Sequence, residues 1–176
     1  MKWVNHIAIA ASAAAVWRPE LIPVAVAGSI APDWMESVPA LVGGRKPAHR
    51  TVTHIVAYWA LALAFSVLVW DFHGLVAAFA LGGLSHVLCD SLTVMGVPLV
   101  PWSAQRSTFF GAPFKTGNMG EYVFTGVIVA ACLALALLTR HWGGEGFAPF
   151  FFDYADLYQR GVIDANEWKE NRFRWL

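Results

Sequence analysis

The sequence predicts an all-α integral membrane protein: a bundle of about five membrane helices, the first two short or tilted, followed by a soluble C-terminal helical tail. Two observations support this fold class. The 176 residues are 57% hydrophobic and only 14% charged, with a mean hydropathy of +0.52, which is too apolar for a soluble domain of this size. The apolar residues also form blocks of membrane-spanning length.

These blocks predict the helices in order. Residues 5–16 and 20–31 form two short helices separated at Arg18-Pro19, which we expect to pair as a tilted or re-entrant unit. Residues 54–70 and 122–139 contain no Asp, Glu, Lys or Arg. A helix over the former block would reach roughly 26 Å at about 1.5 Å per residue, enough to cross most of a bilayer.

The fourth predicted helix, residues 74–96, carries small and polar residues on one stripe. Steps of four along it give Gly74, Ala78, Gly82, His86 and Asp90. Small residues let membrane helices approach closely, so this stripe should face into the bundle and carry His86 and Asp90 with it. Taken alone, these two residues are equally typical of a neutral hydrogen-bonded pair that joins helices. A central Asp costs about 2.5 to 3.5 kcal/mol on insertion, so the fold must compensate it.

The ionisable residues that are hardest to explain fall at one end of this predicted bundle, which we call side A. They are His6, Asp33, Glu36, His49, His54, His86, Asp90 and Glu121. Imidazole and carboxylate groups that meet in a helical bundle suit zinc or a similar divalent cation. We therefore predict a site for one or two such ions, with His6, Asp33, His49, His54, His86 and Asp90 as the candidate ligands.

Two of these histidines cannot share one face of a continuous helix. His49 and His54 are five residues apart, which places them about 140° out of phase. We expect His49 just outside the third helix, His54 directly before it or at its start, and Thr51 near its N-cap.

Several motifs follow one another in an order that resembles a known family. They are His6, PDWMES at 32–37, HRTVTH at 49–54, GLSHVLCDSLT at 83–93, GVPLVP at 96–101 and TGNMGE at 116–121. Over about residues 1–140 this order looks like the LexA-regulated inner-membrane metal-dependent hydrolases. The resemblance implies a location in the inner (cytoplasmic) membrane of bacteria and metal-dependent hydrolysis. A looser similarity to the zinc-dependent phospholipase C superfamily implies phosphoester chemistry.

The sequence departs from this family at two places. Met35 and Glu36 stand where the family has an acidic residue and a histidine, so the second acidic position is displaced or lost. Thr51 and Ile55 stand where it has glycine and serine.

These features together predict a membrane-bound metal-dependent hydrolase that acts on a membrane lipid or another amphipathic or phosphorylated substrate. Glu36 or Glu121 would be the general base or a partner of a ligating histidine, and Arg50 would bind an anionic group. The alternative is a non-enzymatic membrane scaffold or assembly protein with a structural metal. A transporter or channel with an ion pathway is a third, weaker hypothesis. The formal net charge of zero argues against nucleic acid as a partner.

The chain is predicted to divide at residue 140. Residues 1–140 would form the membrane domain, with side A cytoplasmic because Lys and Arg are enriched there. Residues 141–176 would form a tail with one helix at 151–159, a stop at Gly161 and a second helix starting at 164–167. This tail resembles a C-terminal helical hairpin motif, which implies self-association or a protein partner; an amphipathic surface helix is the alternative.

Overall fold

The structure, a computed structural model, describes residues 1–42, 44, 48–72, 74–103, 105–139, 161, 164 and 166. Within these residues the chain is mainly helical. The helices are α1 (Trp3–Trp17), α2 (Ile22–Met35), α3 (Val38–Leu41), α4 (Val56–Leu68), α5 (Leu75–Ser91) and α6 (Met119–Thr139). Two 3-10 turns, Pro19–Leu21 and Val52–His54, precede α2 and α4. Strands β1 (Val97–Pro98) and β2 (Arg106–Ser107) form a small antiparallel pair between α5 and α6.

The predicted break between the first two helices is confirmed. Arg18 has an extended backbone with φ −149°, and Pro19 begins the 3-10 turn, because the residue before a proline is disfavoured in the helical region. The helix that follows continues beyond residue 31, where we predicted its end, to Met35. Asp33 therefore lies in the last turn of α2, and Glu36 is the C-terminal capping residue.

Helices α2 and α5 pack backbone to backbone because each presents a glycine to the other. A Cβ on Gly28 would lie 2.1 Å from the carbonyl oxygen of Phe79, and a Cβ on Gly82 would lie 2.1 Å from that of Ala25. Ala78, one turn before Gly82, is fully buried. The small stripe of α5 therefore faces inward, as predicted, and directs the next two turns of the helix into the interior.

Two of the predicted helices are longer than those observed. α4 has 13 residues and α5 has 17, against the predicted blocks 54–70 and 74–96. The chain leaves α5 after Ser91 because the last turn tightens: the Thr93 N–H donates to the Asp90 carbonyl at 3.1 Å, while the Val94 N–H donates to Phe114.

The start of the third membrane helix agrees with the prediction only in part. His54 lies directly before α4, in the 3-10 turn whose N-cap is Thr51, but the N-cap of α4 itself is Ile55. The Thr51 hydroxyl donates to the Ala48 carbonyl at 2.6 Å instead. His49 lies outside any helix, as predicted.

One helix in the described part of the chain is long and apolar enough to cross a membrane by itself. It covers Met119–Leu138, with a mean hydropathy of 2.2. The apolar helices α1, α4 and α5 are shorter. The five membrane spans thus stay a prediction.

Little of the predicted tail lies among the described residues, and the helix at 151–159 lies outside them. Gly161 has φ +70°, the conformation expected of a helix stop. Asp164 accepts a hydrogen bond from the Asn166 N–H at 2.7 Å, as an N-terminal capping residue does. The domain boundary at residue 140 stays a prediction.

Candidate metal centre

Five of the six predicted ligands meet in one buried group, which we call the inner cluster. They are His6 of α1, Asp33 of α2, His54 of the second 3-10 turn, and His86 and Asp90 of α5. The three imidazoles and Asp90 are at most 2% exposed, and Asp33 is 15% exposed. The packing of α1 and α2 on α5 brings together side chains that are up to 84 positions apart, since the cluster runs from His6 to Asp90.

The distances in this cluster suit shared coordination of a cation. Asp90 Oδ1 lies 3.4 Å from His6 Nε2, and Asp90 Oδ2 lies 3.6 Å from His86 Nε2. Asp33 Oδ1 lies 3.3 Å from His54 Nε2 and 3.8 Å from His86 Nε2. Four ligand atoms placed tetrahedrally at the usual zinc distance are about 3.3 Å apart. The cluster is therefore close to the dimensions of a zinc site.

Four atoms that face one another here are buried and have no hydrogen-bond partner. They are Nε2 of His6, His54 and His86, and Oδ1 of Asp33. Buried polar atoms are nearly always paired, and an unpaired one costs about 1 to 3 kcal/mol. A divalent cation bound by Asp33, His54 and His86, whose ligand atoms lie within 4.8 Å of one another, would satisfy three of them at once, so these residues fit a zinc-like ion.

Neighbouring groups set the orientation of two of the imidazoles. His86 donates its Nδ1–H to the Ser29 carbonyl at 2.6 Å. His54 places Nδ1 3.1 Å from Glu36 Oε1. When Nδ1 carries the proton, Nε2 keeps its lone pair, which is the form that binds a metal. In both residues this free Nε2 faces the inner cluster.

Glu36 lies beside the inner cluster. Its carboxylate is buried and accepts a hydrogen bond from the backbone N–H of Arg50 at 2.8 Å. Its Oε2 lies 2.9 Å from His49 Nδ1. These contacts match a partner of histidine side chains, one of the two roles predicted for Glu36. With His49 and His54 it forms a second group whose ligand atoms lie within 4.8 Å of one another, so the geometry accommodates one ion or two.

His49 lies at the rim of the site, unlike the other histidines. Its side chain is 52% exposed, and its Nδ1 is 4.0 Å from Asp33 Oδ1. It packs edge-on against the His54 ring. The solvent-exposed side of the site is therefore the side formed by His49 and Asp33.

Arg50 compensates the buried aspartate of α5. Its Nη2 lies 2.9 Å from Asp90 Oδ1, and its Nη1 donates to the Thr93 hydroxyl at 2.7 Å. The α-amino group of Met1 also contacts Asp90. Arg50 is 3% exposed, and its guanidinium neutralises the carboxylate of Asp90 in the inner cluster. The predicted binding of an anionic group by Arg50 stays a prediction.

The electrostatic surroundings also favour an ionised Asp33. Partial burial raises the pKa of this carboxyl, but its contacts with His54 and Trp3 and its attraction to His86 outweigh burial and hold the pKa at about 2. The Trp3 indole N–H donates to Asp33 Oδ2, which leaves Oδ1 directed at the histidines.

Glu121 has different neighbours from the other predicted residues. It is buried in the first turn of α6, where it accepts the N–H groups of Lys2 and Gly117, each at 2.6 Å, and the side-chain amide of Asn5. In the described part of the chain it belongs to no group of candidate ligands. These contacts join α1 to α6, and the catalytic role of Glu121 stays a prediction.

Sequence reasoning missed Ser29 and Trp3. Ser29 precedes Asp33 by four residues and so shares its helix face, a signal that was present in the sequence. Ser29 contacts His86 through its backbone carbonyl, however. Every residue has that group, so the residue type gives no signal for the contact. Nothing in the sequence indicated that Trp3 contacts Asp33.

Comparison with known proteins identifies the family. Neither the curated proteins nor the solved structures gave a match. The family model described as YdjM inner membrane protein matches residues 1–148, which cover most of the 176 residues. The chain therefore belongs to the YdjM inner membrane protein family, which confirms the resemblance to the LexA-regulated inner-membrane family and the assignment to that membrane.

Proposed function

We propose that this protein is a membrane-bound hydrolase that holds a divalent cation, zinc by its donor set, in the inner cluster and cleaves a phosphoester of an amphipathic substrate. The observation that carries the proposal is the convergence of three buried, unpaired atoms, Nε2 of His54, Nε2 of His86 and Oδ1 of Asp33, within one group of candidate ligands. A bound divalent cation supplies Lewis acidity there, which activates water and polarises a phosphoryl oxygen.

In this proposal Asp33, His54 and His86 hold the ion and leave a fourth position for water or substrate, and His6 and Asp90 form an adjoining ligand group with His86. Glu36 and the Ser29 carbonyl hold two of the imidazoles with Nε2 directed inward. Such partners typically change metal affinity by 10–100-fold. Arg50 Nη2 lies 2.9 Å from Asp90 Oδ1 and balances the charge of this carboxylate.

The exposure pattern supports a catalytic site over a purely structural one. Structural zinc sites are closed by four protein ligands, whereas catalytic ones keep a position for water or substrate. Asp33 and the neighbouring His49 face solvent on one side, while Asp90 is enclosed. Substrate would approach over His49.

We further propose that the protein is multi-pass and that side A is cytoplasmic. The short apolar helices α1, α4 and α5 would complete the bundle around α6. Lys and Arg predominate in the segments on side A, and such segments are retained in the cytoplasm.

Metal analysis of the purified protein tests the proposal. We expect about one or two equivalents of zinc or a similar ion, and its loss in His86→Ala and Asp90→Ala without loss of membrane insertion. Glu20→Ala is the control, because Glu20 pairs with Arg18 and belongs to no group of candidate ligands in the described part of the chain, and it should keep its metal. Absence of metal from all variants would overturn the proposal.

Activity separates the hydrolase from the scaffold alternative. The metal-loaded protein should hydrolyse a simple phosphodiester such as bis(p-nitrophenyl) phosphate, and His86→Ala should not. A protein that binds metal but hydrolyses no phosphoester would contradict the catalytic proposal and favour a structural metal.

A further inference from the structure

The segment between α5 and α6, residues 92–118, is tied to the end of α5. The Phe109 N–H donates to the Ser91 carbonyl at 2.9 Å, and the Phe114 N–H donates to the Leu92 carbonyl at 3.2 Å. The Val94 N–H in turn donates to Phe114. Because the membrane-length helix begins at Met119, this segment lies at the level where the chain enters the bilayer.

A strained turn in this segment presents an aromatic side chain to the outside. The Ala112 N–H donates to the Phe109 carbonyl at 3.1 Å, and Phe110 and Gly111 between them have φ +52° and +69°. This is the sign pattern of a type I′ turn, which favours Asn and Gly over a bulky residue. Phe110 is nevertheless 91% exposed, so no packing within the described chain offsets the strain.

The same segment is cationic and carries a second exposed aromatic residue. Trp102 is 83% exposed. Residues 91–118 contain no Asp or Glu, and their charged residues are Arg106 and Lys115, both exposed. Aromatic side chains next to basic ones suit the headgroup layer of a bilayer with anionic lipids. The exposed apolar surface continues into α6 at Met119, which is 77% exposed.

One contact connects this segment to the candidate metal centre. Arg106 Nη2 donates to the His49 carbonyl at 3.0 Å, and His49 forms the rim of the site. The depth of the segment in the membrane therefore sets the depth of the rim.

We infer that residues 99–115 dock into the headgroup layer of an anionic bilayer, with Phe110 and Trp102 inserted between lipids and Arg106 and Lys115 near lipid phosphates. The docking places the rim of the inner cluster at the level of those phosphates. The second consequence, which rests on the proposed function, is that the substrate is a phosphoester of a membrane lipid that reaches the site from the bilayer.

Depth-dependent quenching tests the docking without any assay of activity. Full-length Phe110→Cys, with Cys89 and Cys132 replaced by Ala, is labelled with bimane and reconstituted into phosphatidylcholine vesicles that contain phosphatidylglycerol. We expect a headgroup nitroxide lipid to quench the label at least about twofold more than a mid-chain nitroxide lipid, as for an interfacial side chain. Val127→Cys, at an exposed position within α6, is the control and should show the opposite order.

Quenching by aqueous iodide together with no quenching by either lipid would overturn the docking. Equal quenching at Phe110→Cys in vesicles with and without phosphatidylglycerol would overturn the requirement for anionic lipid. Lys115→Gln should lower the headgroup quenching in the anionic vesicles, because one contact with the charged surface is lost.

A comparison of two substrates tests the second consequence. Phe110→Asp should raise the KM for a vesicle-borne lipid phosphodiester about tenfold, the scale of one lost aromatic insertion, and leave hydrolysis of bis(p-nitrophenyl) phosphate unchanged. Gln105→Asp adds the same charge at an exposed position of the segment and is the matched control. An equal effect on both substrates would contradict the lipid source, whereas no hydrolysis of either by the parent protein would contradict the proposed function and leave the quenching result standing.

Discussion

Replacing Gly82 by alanine tests whether the helix crossing sets the geometry of the candidate metal centre. The added Cβ would lie 2.1 Å from the Ala25 carbonyl oxygen and 2.7 Å from the Ser29 nitrogen. Both atoms belong to the backbone of α2 and cannot rotate away. To bring the first contact from 2.1 Å to 3.0 Å, α2 must move by about 0.9 Å.

This displacement acts directly on a candidate ligand. The hydrogen bond from His86 Nδ1 to the Ser29 carbonyl is now 2.6 Å, and a shift of about 0.9 Å would stretch it to the limit of a hydrogen bond. Asp33, on the same helix, would move with it. We expect metal affinity to fall by about 10–100-fold, the usual effect of losing such a partner, and stability to fall by about 1 to 3 kcal/mol from overpacking.

Gly126→Ala is the matched control. Gly126 lies within α6, and a Cβ added there would meet nothing within 4 Å. Alanine is favoured over glycine in a helix by about 1 kcal/mol, so this variant should be as stable as the parent or more so, with unchanged metal affinity.

The assay is zinc affinity by competition with a chelating dye in detergent, together with thermal unfolding of the same samples. Parent-like affinity in Gly82→Ala would refute the reasoning, since α2 could then move without disturbing the ligands. An equal loss in Gly126→Ala would show that the effect does not come from the crossing.

Three further predictions follow from single contacts. Glu36→Gln should weaken zinc binding by about 10–100-fold, because the charged partner of His54 is lost. Measurements of zinc affinity check this. The control is Glu20→Gln, which alters the distant pair with Arg18 and should leave zinc affinity unchanged. Glu121→Ala should lower stability by about 1 to 3 kcal/mol for each buried donor left unpaired while keeping bound metal; metal loss would place Glu121 in the site. The pKa of Asp33 is lowered from 3.8 to about 2 in the folded protein. The stabilisation that the ionised Asp33 gives the metal-free protein should therefore be complete above about pH 4 and disappear as the pH falls towards 2. Parallel curves of stability against pH for the parent and Asp33→Asn over that range would contradict this.

The pattern of candidate ligands could be predicted from the sequence because it depends on local geometry. His86 and Asp90 are one helical turn apart and continue a stripe of small residues, so a close helix crossing had to carry both inward. Asp33 and His54 were selected by residue type and by their place at the ends of apolar blocks. The structure places all four together.

Contacts between distant segments were not predictable in the same way. Glu36 and Glu121 look alike in sequence, each next to a helix terminus, but Glu36 lies beside His49 and His54 whereas Glu121 holds Lys2 and Gly117. A carboxylate takes whichever donors the fold brings near, and local pattern does not specify them. Helix ends were misjudged for the same reason, since the end of α5 depends on the pairing of Val94 with Phe114.

The sequence by itself determined the apolar helical character of this protein and the types of side chain available to bind a cation, because both follow from composition and from the period of a helix. Tertiary structure alone decided which of those side chains meet, which nitrogen of each imidazole faces inward, and which edge of the site is open. These depend on two helices approaching at Gly28 and Gly82 until their backbones touch, and the position of one helix on another is a property of packing.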